Sequence, residues 1–286
     1  MTIDTPLPLV GLSVTMRALA ARAEELRRDV SRPVLLVGAR GLGKQFLAER
    51  IHRSSSLAPQ PFLTMDARRA PDSTLRRLLD EAAQGSTLLV RHVDQLSAAA
   101  QVLLDQRTSD RGPIVRLMAT TSGDIVSRVT AGAFLESLYY RIHAWPMLLP
   151  SLAEREPEDL VALGSAVLEQ TADSDADLPQ TLDMAAGVML RQHDWPDNLR
   201  ELEATMALAQ LRARGAPSIG IAHLSLHAGD ATVPPADASF ADIERWHLLR
   251  AVALVKGNRT HAAKSLGISR MTLISKLKLF GDERAT

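Results

Sequence analysis

The segment Gly38-Ala39-Arg40-Gly41-Leu42-Gly43-Lys44-Gln45 puts three glycines and a lysine between a short apolar run and a stretch of helical periodicity. Backbone amides at a helix start, freed by glycine and backed by an ammonium, can cradle phosphate oxygens. Gly38, Gly41, Gly43 and Lys44 are therefore candidate nucleotide-binding residues, together with Gln45. Position 45 is where a Ser or Thr hydroxyl would hold magnesium, and an amide does this poorly. ATP or ADP is the expected ligand, magnesium is doubtful, and no metal site is assigned. The competing reading is a turn that has lost its ligand.

A second chemical signal lies near the other end. Residues 243 to 281 hold eight Lys or Arg against the single acid Glu244, so this stretch is about +7 in a chain of net charge zero, and the remainder is about −7. A compact basic module on an acidic body is the footprint of duplex binding, because phosphate contacts supply most non-specific affinity. The spacing predicts three helices: 241 to 255, ended by Gly257-Asn258, then His261 to Leu266, then Arg270 to about Leu279 capped by Ser269. On the third, Leu273, Leu277 and Phe280 share one face while Met271, Thr272, Ser275 and Lys278 lie broadly opposite. A helix that reads a major groove needs that division. A plain three-helix dimerisation module is the alternative.

The elements around the glycine-rich loop alternate β-branched or Leu-rich runs with helices, which argues for a parallel sheet with crossover helices. Strands are expected at Pro33 to Val37, Phe62 to Met65, Thr87 to Val90 and Val115 to Ala119, with a helix from Thr74 to Ala83. Functional loops should collect at the sheet's carboxyl edge. Asp159 to about Leu211 reads as helical, its last helix entered through Trp195-Pro196-Asp197-Asn198. The fold class is therefore α/β: a P-loop domain with a parallel sheet at 1–151, a helical domain at 152–226, a linker at 227–240 and an all-α helix-turn-helix at 241–286. With 46% apolar residues there is core enough for this division.

The chain has no cysteine, which excludes a disulfide framework, a thiolate zinc site and a thiolate nucleophile. Its start carries no basic-then-apolar leader, and nowhere do about eighteen apolar residues run together. A cytoplasmic protein without membrane contact is expected.

Several motifs carry a family resemblance. Gly257-Asn258-Arg259-Thr260-His261-Ala262-Ala263, Leu266-Gly267-Ile268-Ser269-Arg270, Thr272-Leu273 and Lys276-Leu277-Lys278 resemble the Fis-type domain of NtrC-class regulators. Leu9-Val10-Gly11, the loop at 38–45, Gly85-Ser86-Thr87-Leu88-Leu89-Val90, 115–121, Leu138-Tyr139-Tyr140-Arg141-Ile142, 149–155 and Trp195-Pro196-Asp197-Asn198-Leu199-Arg200-Glu201-Leu202-Glu203 are similar to the AAA+ domain of the same class, in family order. The resemblance implies that Val10 and Gly11 flank adenine, that Arg200 reaches phosphates from a lid domain, and that Arg141 is an arginine finger for a neighbour's site. It implies base contacts from Ser269, Arg270 and Ser275, and phosphate contacts from Thr272, Lys276 and Lys278, with Arg259 and Thr260 also in the DNA-binding set. Partners would be double-stranded DNA, a second copy in a homodimer or higher oligomer, and an intact NtrC-class activator or RNA polymerase.

Three departures cut against the family's activity. Arg91 and His92 stand where it places an Asp-Glu pair for magnesium and the attacking water, and Asp94 would have to reach back to replace them. Ser122 and Leu135 replace the first-sensor Asn and one arginine finger. About eighteen residues between Asp66 and Gly85 leave no room for the loop that engages sigma-54. The reading is a sequence-specific regulator of the NtrC/Fis type, unable by itself to remodel sigma-54 polymerase. The alternatives are an accessory subunit of an intact activator and an active ATPase. Nothing before Leu9 reads as a receiver domain, so control is expected from a partner, a nucleotide or expression level.

Overall fold

The computed structural model describes residues 6–82, 85–109, 115–171, 178–224, 248, 251–252 and 258–279. The four expected strands form as β1 (Val34–Val37), β2 (Phe62–Asp66), β3 (Ser86–Arg91) and β4 (Val115–Thr121), and a short β5 (Pro146–Leu148) was not expected. They make one parallel sheet in the order β2-β3-β4-β1-β5. β4 is buried at all seven positions and β3 at its first five, as interior parallel strands covered on both faces must be. Three-residue β5 begins with proline, which an edge strand tolerates because one side of it needs no ladder bond.

α1 (Val14–Arg28) precedes the sheet, and the crossovers are α2 (Lys44–Arg53), α3 (Asp72–Glu81), α4 (Ala98–Ser109), α5 (Ile125–Thr130) and α6 (Glu136–Ile142). α3 starts two residues before the expected Thr74 and ends before Ala83, because Pro71 sets its entry and Leu75, Leu78 and Leu79 form its buried face. Ser13 caps α1 by accepting a hydrogen bond from Met16 N at 3.2 Å. One core joins Leu35, Leu88, Val90, Leu117 and Ala119 of the sheet to Leu75 of α3, Leu104 of α4 and Leu138 of α6.

A helical layer follows, of α7 (Pro157–Thr171), α8 (Met184–Gln192) and α9 (Asn198–Arg212), with α7 packed against both others. Trp195 is buried at their junction and donates its indole hydrogen to Leu190 O at 2.9 Å. Contacts divide the chain into units 1–225 and 226–286.

In the second unit the structure describes α10 (Arg259–Ser265) and α11 (Arg270–Leu279). α10 begins at Arg259 rather than His261, because Asn258 caps it by accepting from His261 N at 3.2 Å, while the end expected for the preceding helix at Gly257 lies outside the described residues. Leu248 and Ala251 pack with Ala262, Ala263, Leu273 and Leu277. Most of the helix expected at 241–255, the linker 227–240 and Phe280 lie outside the described residues. No helix among the described residues is long and apolar enough to cross a membrane.

Candidate functional site

β1, β4 and β3 are neighbours, so the loops after their carboxyl ends converge. They open on a cleft of about 480 Å³ lined by the 40–46 loop and helix start, Arg68, Arg91, His92, Thr120, and from the helical layer Asp197, Leu199, Arg200 and Glu203.

The glycine-rich loop forms as expected between β1 and α2, with Gly38, Gly41 and Gly43 all at positive φ. Gly41 has a second constraint, since a Cβ there would overlap the carbonyl oxygen of Asp197. Lys44 Nζ donates to Gly38 O and Ala39 O, both at 2.7 Å. Burial pushes the Lys44 ammonium down to about 8, and the charge of Asp94 opposes this. Gln45 lines the cleft and donates along its helix to Glu49 Oε1 at 3.2 Å.

Asp94 lies close enough to Lys44 for its charge to act on the ammonium. His92 adopts φ 54°, which turns the chain sharply after β3 and carries Asp94 into the protein, where it is 4% exposed. There it accepts from Thr121 Oγ1 at 2.7 Å and from Gln95 Nε2 at 2.6 Å. Its carboxylate is thus a buried counter-charge to Lys44, held by the end of β4. His92 lines the cleft, and burial lowers its pKa, so the imidazole is neutral over more of the physiological range.

Arg91 ends β3 in register with Asp66 at the end of β2. Its guanidinium lies 3.2 Å from Asp66 Oδ2, and Arg68 approaches the same oxygen at 3.2 Å. Burial would raise the Asp66 carboxyl, but the hydrogen bonds and charge of Arg68 hold it below the usual range. The two positions are 25 residues apart along the chain, and only the pairing of β2 with β3 brings them together.

The helical layer closes one side of the cleft through Asn198. Its Nδ2 donates to Arg40 O at 2.9 Å and its Oδ1 accepts from Leu152 N at 2.9 Å, while Arg200 N donates to Gly41 O at 3.2 Å. The start of α9 is therefore bonded to the glycine-rich loop itself. The Arg200 side chain lines the cleft. Burial raises the Glu203 pKa. No side-chain cap at Asp197 starts α9; Glu201 accepts from the Asp197 amide at 3.1 Å, and Trp195 and Asn198 take positive φ.

Val10 is 2% exposed, and a Cβ on Gly11 would lie 2.6 Å from Met16 Cβ and 2.8 Å from Asp159 Oδ1. This segment is pinned by two buried charges that sequence reasoning missed. Arg155 donates to Val10 O and Pro8 O, and Asp159 Oδ1 accepts from the amides of Leu12 and Ser13. Arg141 sits apart, bound within its own chain to Asp105 Oδ1 and Thr108 O, both at 3.1 Å.

In the second unit Ser269 Oγ accepts from Thr272 N at 3.0 Å, which caps α11 as expected. Arg270, Met271, Thr272 and Ser275 are exposed, and Leu273 and Leu277 are buried beneath them. Thr260 is exposed and Arg259 and Lys276 are half-buried; the Lys278 side chain is outside the described set.

Residues 10–152 match the family model described as the Sigma-54 interaction domain, 154–238 that of the AAA+ ATPase lid domain, and 239–280 that of the Fis family of bacterial regulatory proteins. The chain is similar to the transcriptional regulatory protein ZraR of Escherichia coli O157:H7, at 30% identity over 94% of this chain and 68% of that protein. It is also similar to the transcriptional regulatory protein FlbD of Caulobacter vibrioides, at 27% identity over 98% of this chain and 71% of that one. Among solved structures, NtrX from Brucella abortus in complex with ATP superposes with a TM-score of 0.67 at 26% identity, over 97% of this chain and 70% of that one.

Proposed function

The chain belongs to the NtrC class of transcription regulators, with an AAA+ sigma-54 interaction domain, its lid and a Fis-type DNA-binding domain, and from this we propose a regulator that binds DNA sequence-specifically without remodelling sigma-54 polymerase by itself. The observation that carries this reading is Arg91. A guanidinium ends β3, paired with Asp66, where phosphoryl transfer to water needs a carboxylate to hold a metal at the phosphates. The single ten-residue α3 between β2 and β3 supports it, since the family's polymerase-engaging loop is an insertion in this connection.

Nucleotide would be held by Gly38, Gly41, Gly43 and Lys44, with Val10 and Gly11 beside adenine and Arg200 at the phosphates. ATP or ADP suits the donor set, because the cleft presents loop amides and several cations. Magnesium does not suit it: Gln45 has no hydroxyl and is engaged with Glu49, and Asp94 is engaged with Thr121 and Gln95. In this reading nucleotide occupancy acts on assembly or shape through the bonds from Asn198 and Arg200 to the loop, not through turnover. For Arg141 to serve a neighbour's site it would first have to leave Asp105. On DNA, Ser269, Arg270 and Ser275 would meet bases while Thr272, Lys276, Lys278, Arg259 and Thr260 fix the backbone. Two copies would read a dyad site.

Selection of bound duplexes from a randomised pool by the purified chain, at two salt concentrations, tests the DNA half and is expected to return a motif with dyad symmetry. A reconstituted sigma-54 open-complex assay tests the other half. ATP-driven activation by this protein alone would refute the inability to remodel and leave the DNA assignment standing.

A further inference from the structure

We propose that the cleft binds nucleoside polyphosphates without a divalent metal, with Arg91, held by Asp66 beside Arg68, supplying the positive charge at the phosphates that a metal would otherwise supply. The proposal rests on the nucleotide reading above and adds how the ligand's charge is met.

Where an acid at a strand end holds a metal, a carboxylate stands behind a cation that faces the phosphates. The same order of charges exists here, displaced by one strand. Asp66 ends β2 and is 11% exposed, and its Oδ2 lies 3.2 Å from both the Arg91 and the Arg68 guanidinium. The cation is covalently attached instead of captured, so no ion need be recruited from solution. Register fixes the arrangement, because Asp66 pairs with Arg91, and Arg91 with Thr120, at the carboxyl edge beside the glycine-rich loop.

The balance of charge around the cleft points the same way. Arg40, Lys44, Arg68, Arg91 and Arg200 line it against Asp197 and Glu203, an excess that suits a polyanion. A metal ion entering with the nucleotide would meet like charge at Arg91. Nor is the Asp94 carboxylate open to it, since Asp94 is buried and serves Thr121, Gln95 and the charge of Lys44. Arg91 retains a third of its side chain exposed, so its remaining N–H groups can reach a ligand while Asp66 fixes its position.

The test is equilibrium binding of ADP and ATP to the full chain, by calorimetry and by a fluorescent ADP analogue, in EDTA and in excess magnesium. Affinity in EDTA is expected to equal or exceed that with magnesium. Arg91→Gln should lose about tenfold or more in EDTA, the worth of a charge-assisted hydrogen bond, and Arg91→Lys should recover part of it. Wild-type binding that requires magnesium would overturn the proposal and leave the nucleotide reading standing. Absence of saturable binding in both buffers would remove both. A folded Arg91→Gln protein that binds in EDTA as the wild type does would also overturn it. If that variant does not fold, the wild-type comparison decides the matter alone.

Discussion

Lys44 has two possible sets of partners, the carbonyls of its own loop and a ligand's phosphates, and the first set is engaged in this structure. Burial brings its pKa down to about 8 against the pull of Asp94, so in the free protein the ammonium is lost as pH rises through about 8. A bound polyanion favours the charged form and raises that value again, which makes binding above this pH an event that takes up a proton. Nucleotide affinity is therefore expected to fall as pH climbs from about 8 toward the ordinary lysine value of 10.5, with proton uptake visible as a dependence of the calorimetric heat on buffer ionisation. The fold itself responds with the opposite sign. Between those two pH values the unfolded chain binds the proton and the native one does not, so this group makes stability rise with pH. Lys44→Arg, which stays charged throughout, should bind with a flat profile. A wild-type affinity equally flat across this range would show that the ammonium is not depressed, or does not touch the ligand.

Between elements, the decisive contact is the one from α9 to the glycine-rich loop, and Asn198 supplies its side-chain bond. Its backbone is left-handed at φ 53°, while its side chain joins Arg40 O to Leu152 N. Asn198→Ala loses both bonds, leaves the buried Leu152 amide without its acceptor and strains the backbone, for an expected cost of about 2–5 kcal/mol. Asn198→Gly loses the same bonds without the strain and should be better than Ala by about 1–2 kcal/mol. Denaturant unfolding of the two variants measures that difference. Equal losses would mean that the left-handed turn is not what holds α9 on the loop.

The four longer strands, the glycine-rich loop, the chain's return into helices and the cap at Ser269 were legible in the sequence, because each is set by local periodicity or by one residue's own chemistry. Three-residue β5 was not, since so short a run has no period. The pairings Asp66–Arg91, Arg155–Val10 and Asp159–Leu12 were not legible either, because they join positions distant along the chain that only the sheet and α7 bring together. Asp94 was underestimated for a related reason: two residues of spacing after β3 says nothing of the left-handed turn at His92 that buries it. The role of Asn258 as the cap of α10 was not legible, because an Asn suits the end of one helix as well as the start of the next, and it is the bond to His261 N that shows the second role.

At the scale of the whole molecule, neutrality hides a division of charge, about +7 in residues 243–281 and about −7 elsewhere. An acidic body is repelled by a duplex, so non-specific attraction must come from the C-terminal unit, and the salt dependence of DNA binding should report on that unit alone. Within it, the proposed reading gives α11 two kinds of contact: base edges for Arg270, exposed at the helix start beside the Ser269 cap, and the backbone for Lys276, half-buried further along the helix. Arg270→Ala should cost about 1–3 kcal/mol on the selected duplex and little on random DNA, lowering the ratio of specific to non-specific affinity. Lys276→Ala should weaken both about equally and reduce the slope of log K against log salt by about 1. Arg91→Gln, a loss of charge from the body, should leave that slope unchanged. Titrations of the three variants at several salt concentrations decide the matter. A slope that moved with Arg91 and not with Lys276 would mean that the duplex is drawn by the cationic cleft of the first unit, and the division of labour between the two units would then have to be reversed.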